Sequence, residues 1–187
     1  MEQECEQVAS CSPVSYDSAV EEYENYNGDA FVDPRESDLQ TVSEGLIEIV
    51  KVEGPMLAKR AYDIYLRHCG IKRMGKDLKK HMNQALQHAI DKKLVLHRDE
   101  WDSSGLIYSI VRLPEQDASR LRTLGDRTID EIPPSEIQEA SIHVLSKNNT
   151  LPEGDEHLRL ILNLYGLKRL TIHTQDKLFQ ALASNKR

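Results

Sequence analysis

The sequence predicts a mainly α-helical protein with a small β-hairpin, built as tandem winged-helix-like (helix-turn-helix) units after a disordered acidic leader. Apolar residues recur at the period of amphipathic helices over most of the chain. One pair of short apolar runs flanks a turn, which predicts the hairpin. An internal repeat predicts that there are two units. The predicted boundaries are a leader or linker at 1–40, a first unit at 41–113, a linker at 114–131 and a second three-helix unit lacking a wing at 132–187.

The internal repeat relates two stretches that lie 96 residues apart. The segment 70–86 (GIKRMGKDLKKHMNQAL) aligns without a gap with 166–182 (GLKRLTIHTQDKLFQAL). Six positions are identical, and three of them form a shared Gly-x-Lys-Arg turn. Two amphipathic helices can resemble each other by chance, but a common turn between the helices favours duplication.

Each unit is predicted to contain three helices. In the first unit, a Thr-x-x-Glu capping box at Thr41 and Glu44 opens the first helix, and Gly54-Pro55 ends it. The second helix is expected to end at Gly70, where a left-handed backbone would close it. The third helix follows. Its predicted buried side is formed by Leu78, Met82, Ala85, Leu86 and Ala89.

The predicted hairpin follows the third helix. Apolar runs at 94–98 and 106–112 are separated by Asp102-Ser103-Ser104-Gly105, which is typical of a turn. Three helices followed by a hairpin is the element order of a winged helix. The second unit repeats only the helices, which are predicted at 135–147, about 156–165 and about 172–184.

The net charge of −7 is unevenly distributed along the chain. Residues 1–40 contain eleven carboxylates and one cation without a sustained helical or strand period, so we expect them to be disordered. The alternative is that Tyr16, Tyr23 and Tyr26 dock this segment on another surface. Residues 59–98, by contrast, carry eleven Lys and Arg against three Asp and Glu. A cationic segment therefore lies in the first unit.

Composition argues against several classes of protein. No run of about 18 apolar residues exists, so we expect no membrane span. The first residues lack the basic start and apolar stretch of a signal peptide. Cys5, Cys11 and Cys69 form an odd set without Cys-x-x-Cys spacing, which indicates neither a disulfide framework nor a metal site. We therefore expect a cytoplasmic, reduced protein that holds no metal.

The segment GIKRMGKD at 70–77 has the glycine and lysine spacing of a phosphate-binding loop. Such a loop requires a preceding buried strand and a final Ser or Thr hydroxyl for magnesium. Here an amphipathic helix precedes the segment, and Asp77 occupies the hydroxyl position. We therefore expect no nucleotide cofactor and no small-molecule substrate. Because the scattered histidines suggest no triad, we also expect no catalytic residues.

Several short motifs occur together in an order that resembles a known family. They are Glu53-Gly54-Pro55, Arg60, Gly70-x-x-Arg73-x-Gly75, Trp101, Arg112 and Ile132-Pro133-Pro134-x-Glu136-Ile137. Over about residues 43–184 the chain resembles the uncharacterised C-terminal domain of large bacterial superfamily I helicase–nuclease proteins. The resemblance implies a helicase-associated accessory module without catalytic residues, whose partner is a helicase or nuclease protein.

The third helix of the first unit is the predicted nucleic-acid-binding surface. A helical wheel places Lys76, Lys80, Asn83, Gln84 and Gln87 opposite its core side. Lysines at a helix start suit phosphates, and side-chain amides pair with adenine edges. An ordinary solvated helix face is the alternative. The full predicted set is Lys72, Arg73, Lys76, Lys79, Lys80, Asn83, Gln84, Gln87, Lys168, Arg169 and Lys177. The predicted ligand is DNA, bound without strong sequence preference.

Other features leave the function open. Asp99, Glu100 and Asp102 at the hairpin tip would repel phosphates, and the second unit carries nearly equal numbers of cations and acids. A protein-docking scaffold that positions a helicase or nuclease motor is therefore the main alternative, and a free-standing transcriptional regulator is a third. The acidic leader could also cover the basic face when DNA is absent. Trp101 is expected to pack in the hairpin rather than to stack on bases.

Overall fold

A computed structural model describes residues 20–103, 105–148 and 154–184. Within these residues the chain is mainly helical, with six α-helices and one small antiparallel sheet, as predicted. The helices are α1 (Leu39–Glu53), α2 (Ala58–His68), α3 (Lys76–Asp91), α4 (Pro134–Lys147), α5 (Asp155–Leu164) and α6 (Ile172–Ala183). The strands are β1 (Met56–Leu57), β2 (Leu96–Arg98) and β3 (Ile110–Arg112).

Helix α1 begins earlier than its sequence pattern predicts. Asp38, rather than Thr41, is the capping residue, because its side chain accepts a hydrogen bond from the Thr41 backbone N–H at 2.7 Å. This hydrogen bond lowers the pKa of Asp38. The helix ends at Glu53, as the following Gly54-Pro55 predicts. Its apolar stripe is fully buried and packs on α2 and α3.

The sheet contains a strand that the sequence pattern did not indicate. Strand β3 pairs with β2, as the predicted hairpin requires, and also with β1, so the strand order is β1-β3-β2. Val111 at the centre of β3 lies opposite Met56 on one side and His97 on the other. Because β1 is only two residues long, no alternation of side chains could reveal it. The sheet ties the start of α2 to the hairpin.

The described chain has two hydrophobic cores. The first is formed by α1, α2, α3 and the sheet, and Tyr62 and Met82 are among its fully buried side chains. The second is formed by α4, α5 and α6 around Ile137 and Ile161. Among the helices of the described residues, none is both long enough and apolar enough to cross a membrane.

The repeated turn has the same backbone geometry in both units. Gly70 and Gly166 follow α2 and α5 with φ values of 76° and 73°, as the repeat predicts. Ile71 donates its N–H to the Leu66 carbonyl at 2.8 Å, and the equivalent bond in the second unit is 2.9 Å. This is a Schellman cap. A Cβ at either glycine would meet nothing within 4 Å, so the left-handed backbone alone requires glycine.

The prediction of a disordered leader is wrong for residues 20–40. Leu39 and Gln40 belong to α1, and residues between 23 and 32 contact α1 and α2. Tyr23 is buried, and its hydroxyl donates to Glu53 Oε2 at 2.6 Å. The Phe31 ring stacks on a Tyr65 ring with 4.4 Å between centroids. Aromatic anchors therefore hold this part of the leader. The predictions for Cys5, Cys11 and Tyr16 lie outside the described residues.

The segment predicted as a linker, 114–131, is also packed against the body. Leu121 belongs to the second core, and Arg122 and Arg127 are buried. A 3₁₀ turn at Ile129–Glu131 begins with a capping box formed by Thr128 and Glu131, and it leads into α4. Arg120 and Arg122 of this segment find their partners in distant parts of the chain.

Candidate nucleic-acid interface

Helix α3 and the turn before it carry most of the predicted nucleic-acid-binding residues. The cap at Gly70 reverses the chain, so residues 71–75 lead directly into α3. Buried residues such as Met82 fix the rotation of α3 by packing against α1. Gly75 occupies the N-cap position, and no side chain caps the first turn. The backbone N–H groups of that turn therefore remain available to a ligand.

The cations at this end of α3 lie on the protein surface. Lys72, Arg73, Lys76 and Lys80 are all exposed. Among the described residues, none of these four side chains has an ion pair or a hydrogen bond. Asp77 is the acid within the same stretch. Because carboxylate partners do not cancel them, the four charges concentrate a positive field at one end of the helix.

The amides of α3 are more constrained than a helical wheel suggests. The Asn83 side chain is half-buried, and its Oδ1 accepts a hydrogen bond from the Tyr62 hydroxyl at 3.0 Å. Burial raises the pKa of Tyr62, so this hydroxyl stays a donor. Gln87 donates to Asp91 at 2.8 Å, whereas Gln84 is exposed. Asn83 therefore holds α3 against α2, a role that its sequence position did not indicate.

The predicted residues of the second unit separate into two groups. Lys168 and Arg169 are exposed in the turn before α6, which is equivalent to the turn before α3. Lys177 is half-buried, with its Nζ 3.4 Å from Asp130 Oδ1 and 4.4 Å from the centroid of the Trp101 ring. The structure thus engages Lys177 in a contact between the units.

The hairpin tip is part of the same contact. Trp101 packs against the second core rather than within the hairpin. Glu100 accepts a hydrogen bond from the Ser135 N–H at 2.9 Å, at the start of α4. A carboxylate suits the positive end of a helix. A cavity of about 520 Å³ beside this contact is lined by Arg98, Trp101, Gln138 and Gln180, among others. Of the three tip acids, Glu100 therefore faces the second unit, whereas Asp99 and Asp102 are exposed.

Tyr108 borders the cationic surface and was missed by sequence reasoning. It ends a 3₁₀ turn at Leu106–Tyr108, and its side chain is 43% exposed. The Nζ atom of Lys79 lies 5.7 Å from the centroid of its ring. The sequence pattern predicts a strand over the whole apolar run 106–112, but only Ile110–Arg112 is a strand. An aromatic residue close to a turn is the signal that could have identified it.

The exposed face of α6 differs from that of α3. The repeat places Ile172 and Phe179 at the positions of Lys76 and Asn83. Ile172 is 80% exposed and Phe179 is 51% exposed. Because the two residues are seven positions apart, they share one side of the helix. The third helices of the two units thus have similar buried sides and different exposed sides.

A buried charged cluster joins the leader, the linker and both units. Glu136 on α4 is fully buried and binds the guanidinium groups of Arg122 and Arg127 at 2.8–2.9 Å. Arg122 also donates to the backbone carbonyls of Glu53 and Pro55 at 2.8 and 2.7 Å. These hydrogen bonds connect the start of the second unit with the end of α1.

Tyr23 lies at the centre of the buried charged cluster. The guanidinium carbons of Arg127, Arg122 and Arg60 lie 4.0, 4.8 and 5.6 Å from the centroid of its ring. Its hydroxyl shares Glu53 with Arg60, whose Nε lies 2.6 Å from Glu53 Oε2. Burial, followed by the charge of Glu53, raises the pKa of Tyr23 and keeps the phenol neutral. The cluster is therefore an assembly of paired charges around a neutral ring.

Within the described residues, no group of three or more His, Cys, Asp or Glu side chains is placed to hold a metal ion. Comparisons with models of protein families, with curated proteins and with solved structures found no match to this chain. The resemblance to a helicase-associated domain therefore stays a prediction.

Proposed function

We propose that this chain is a non-catalytic, helicase-associated accessory module that binds DNA through its first unit. The observation that carries the proposal is the group of four exposed cations, Lys72, Arg73, Lys76 and Lys80, which have no ion pair within the described residues. They surround the uncapped start of α3. Side-chain cations and backbone N–H groups together form a site for successive phosphates.

The charge distribution supports a polyanionic ligand despite the net charge of −7. At physiological ionic strength the Debye length is about 8 Å, so charges within one or two helical turns act together while distant acids are screened. The leader residues that the structure describes lie against α1, α2 and the linker. Their carboxylates therefore do not pair with the cations of α3.

The arrangement of the first unit supports a winged-helix-like mode of binding. Its three helices are followed by the strands β2 and β3, and β1 completes the sheet. In helix-turn-helix proteins of this order, the last helix enters the major groove. Of the three predicted amides, Gln84 alone has no hydrogen-bond partner among the described residues. Side chains suited to phosphates thus outnumber those suited to bases, which favours binding that tolerates different sequences.

A salt titration tests the proposal. We expect fluorescence anisotropy with a labelled duplex to show an affinity that falls with salt, because each neutralised phosphate contributes about −0.9 to the slope of log K against log [salt]. Replacing Lys76 and Lys80 by Ala should flatten that slope by nearly two units. The matched control K51A/K59A removes two exposed lysines from α1 and α2, and it should change the slope far less.

Two outcomes would count against the proposal. If the unmodified chain has no measurable affinity for any DNA at low salt, the first unit does not bind DNA. If K76A/K80A and K51A/K59A change the slope equally, DNA is attracted by the charge of the whole protein rather than by the cations of α3. Thermal unfolding of both variants should stay close to that of the unmodified chain, because all four side chains are exposed.

A protein-docking scaffold is the second candidate function, and the apolar face of α6 favours it. Ile172 and Phe179 are exposed where the first unit displays Lys76 and Asn83. The second unit therefore suits a protein surface better than a phosphate backbone. We expect I172S/F179S to leave the salt slope for DNA unchanged. A large loss of DNA affinity in this variant would place α6 in the DNA interface.

A further inference from the structure

The ring of Tyr108 is held in place by the backbone around it. The Tyr108 N–H donates to the Gly105 carbonyl at 3.0 Å, and the Ser109 N–H donates to the Leu106 carbonyl at 3.1 Å. The preceding residue, Ile107, is buried in the first core. The Ser109 carbonyl in turn accepts the Ala58 N–H at 2.9 Å. The turn is thus anchored on both sides of Tyr108, while the residue remains 43% exposed.

This ring lies at the edge of the cationic surface of α3. Lys79, whose Nζ is 5.7 Å from the ring centroid, belongs to the same helical turn as Lys76 and Lys80. In the described chain, the exposed large aromatic side chains are Tyr108 and Phe179, and Phe179 lies in the other unit. Trp101 is covered by Lys177 and the second core. Tyr108 is therefore the aromatic group that a nucleic acid bound to α3 can reach.

The relative strengths of two possible contacts to the Tyr108 ring select the ligand. An exposed cation–π contact contributes about 0.5–1 kcal/mol, whereas a nucleobase stacked on an aromatic ring contributes about 1–3 kcal/mol. A base can therefore take the place of Lys79 on the ring and leave the ammonium group for a phosphate. Bases within a duplex are already stacked on both faces, so only an unpaired base can bind in this way.

We propose that Tyr108 and Lys79 form a subsite for an unpaired nucleobase, next to the phosphate-binding start of α3. The inference rests on the proposed DNA binding and makes it more specific: the preferred ligand is a duplex with a single-stranded extension. In this complex α3 holds phosphates of the duplex, and the first unpaired base stacks on Tyr108. In such a junction the duplex phosphates lie next to the first unpaired base, just as the start of α3 lies next to the Tyr108 ring.

The test compares three oligonucleotides with the same number of phosphates: a blunt duplex, a duplex with a single-stranded overhang and a single strand. The full chain should bind the overhang duplex most tightly. Replacing Tyr108 by Ala should weaken binding to the overhang duplex about 5- to 150-fold, the equivalent of one stacked base. Affinity for the blunt duplex should change less than about two-fold, and the salt slope should stay the same because no phosphate contact is lost.

Two further variants separate stacking from packing. Y108F keeps the ring and should behave like the unmodified chain, whereas Y108L keeps apolar bulk without a π face and should behave like Y108A. If Y108A weakens binding to the blunt and overhang duplexes equally, or to neither, the subsite is refuted while DNA binding by α3 stands. If the unmodified chain binds no DNA, both proposals fail. If Y108A does not fold, Y108L decides between these outcomes.

Discussion

Replacing Glu136 by Gln should be the most destabilising single charge change in the described chain. Its carboxylate is fully buried and binds both Arg122 and Arg127. The substitution preserves the shape of the side chain but leaves two buried guanidinium groups without their counter-ion. Breaking a buried ion pair from one side costs about 3–5 kcal/mol, because the remaining charge stays desolvated. Against a typical total stability of about 5–15 kcal/mol, this loss is severe.

Urea unfolding followed by circular dichroism measures the effect. With an m value of about 2 kcal/mol/M, we expect the midpoint of E136Q to fall by about 2 M. The matched control is E139Q, which removes the same charge from a half-exposed position on α4. Exposed and half-exposed charges contribute about 0–1 kcal/mol, so this control should unfold near the unmodified midpoint.

A charge-balanced double variant distinguishes desolvation from loss of packing. In R127M/E136Q one cation and one anion are removed together, so Arg122 keeps the backbone carbonyls of Glu53 and Pro55 as partners. We expect this variant to be more stable than E136Q alone. The reasoning is refuted if E136Q unfolds within about 1 kcal/mol of E139Q, or if the double variant is less stable than the single one.

Three further predictions concern the turn, a histidine and the leader. Gly70→Ala should cost about 1–2 kcal/mol of stability because of its positive φ, and Gly166→Ala should cost the same; a loss below about 0.3 kcal/mol in urea unfolding would contradict this. Burial lowers the pKa of His157, so its contribution to stability is present above its ordinary pKa and is lost as pH falls below it. Melting temperatures of H157Q should therefore depend less on pH between about 7 and 5 than those of the unmodified chain, and parallel pH profiles would exclude this. Deleting residues 1–19 removes four carboxylates and no Lys or Arg, so it should tighten DNA binding at low ionic strength, measured by anisotropy; unchanged affinity at low salt would show that this segment does not oppose the ligand.

The described helices could be predicted because their signals are local. Apolar spacing defines the buried side of each helix, and glycines such as Gly70 and Gly166 end α2 and α5 through their own backbone conformation. Thr41 and Glu44 match a capping pattern that predicts a later start of α1, but Asp38 caps the helix instead. Helix ends depend on which of several nearby side chains reaches the first turn.

The prediction of disorder is wrong for residues 20–40 for the opposite reason, because the contacts that order them are not local. The composition of this segment is polar and charged. Such a composition predicts disorder only where the charged side chains have no partners in the fold. Tyr23 is held by groups that lie 30 or more residues away along the chain. Arg122 reaches carbonyls at positions 53 and 55, almost 70 residues earlier. Pairings at such separations have no periodic signature in the sequence.

By itself, the sequence determined which helix displays the cations: the apolar side of α3 leaves Lys76 and Lys80 on the exposed side. Only the tertiary structure decided which neighbouring residues remain available to a ligand. In the folded chain, Asn83 is hydrogen-bonded to Tyr62, and Lys177 contacts Asp130 and Trp101. Tyr108 lies beside Lys79. The physical reason is that helical periodicity defines the direction of a side chain relative to its own helix. The partners of that side chain are supplied by other elements. A site made of several elements is therefore defined only when they pack.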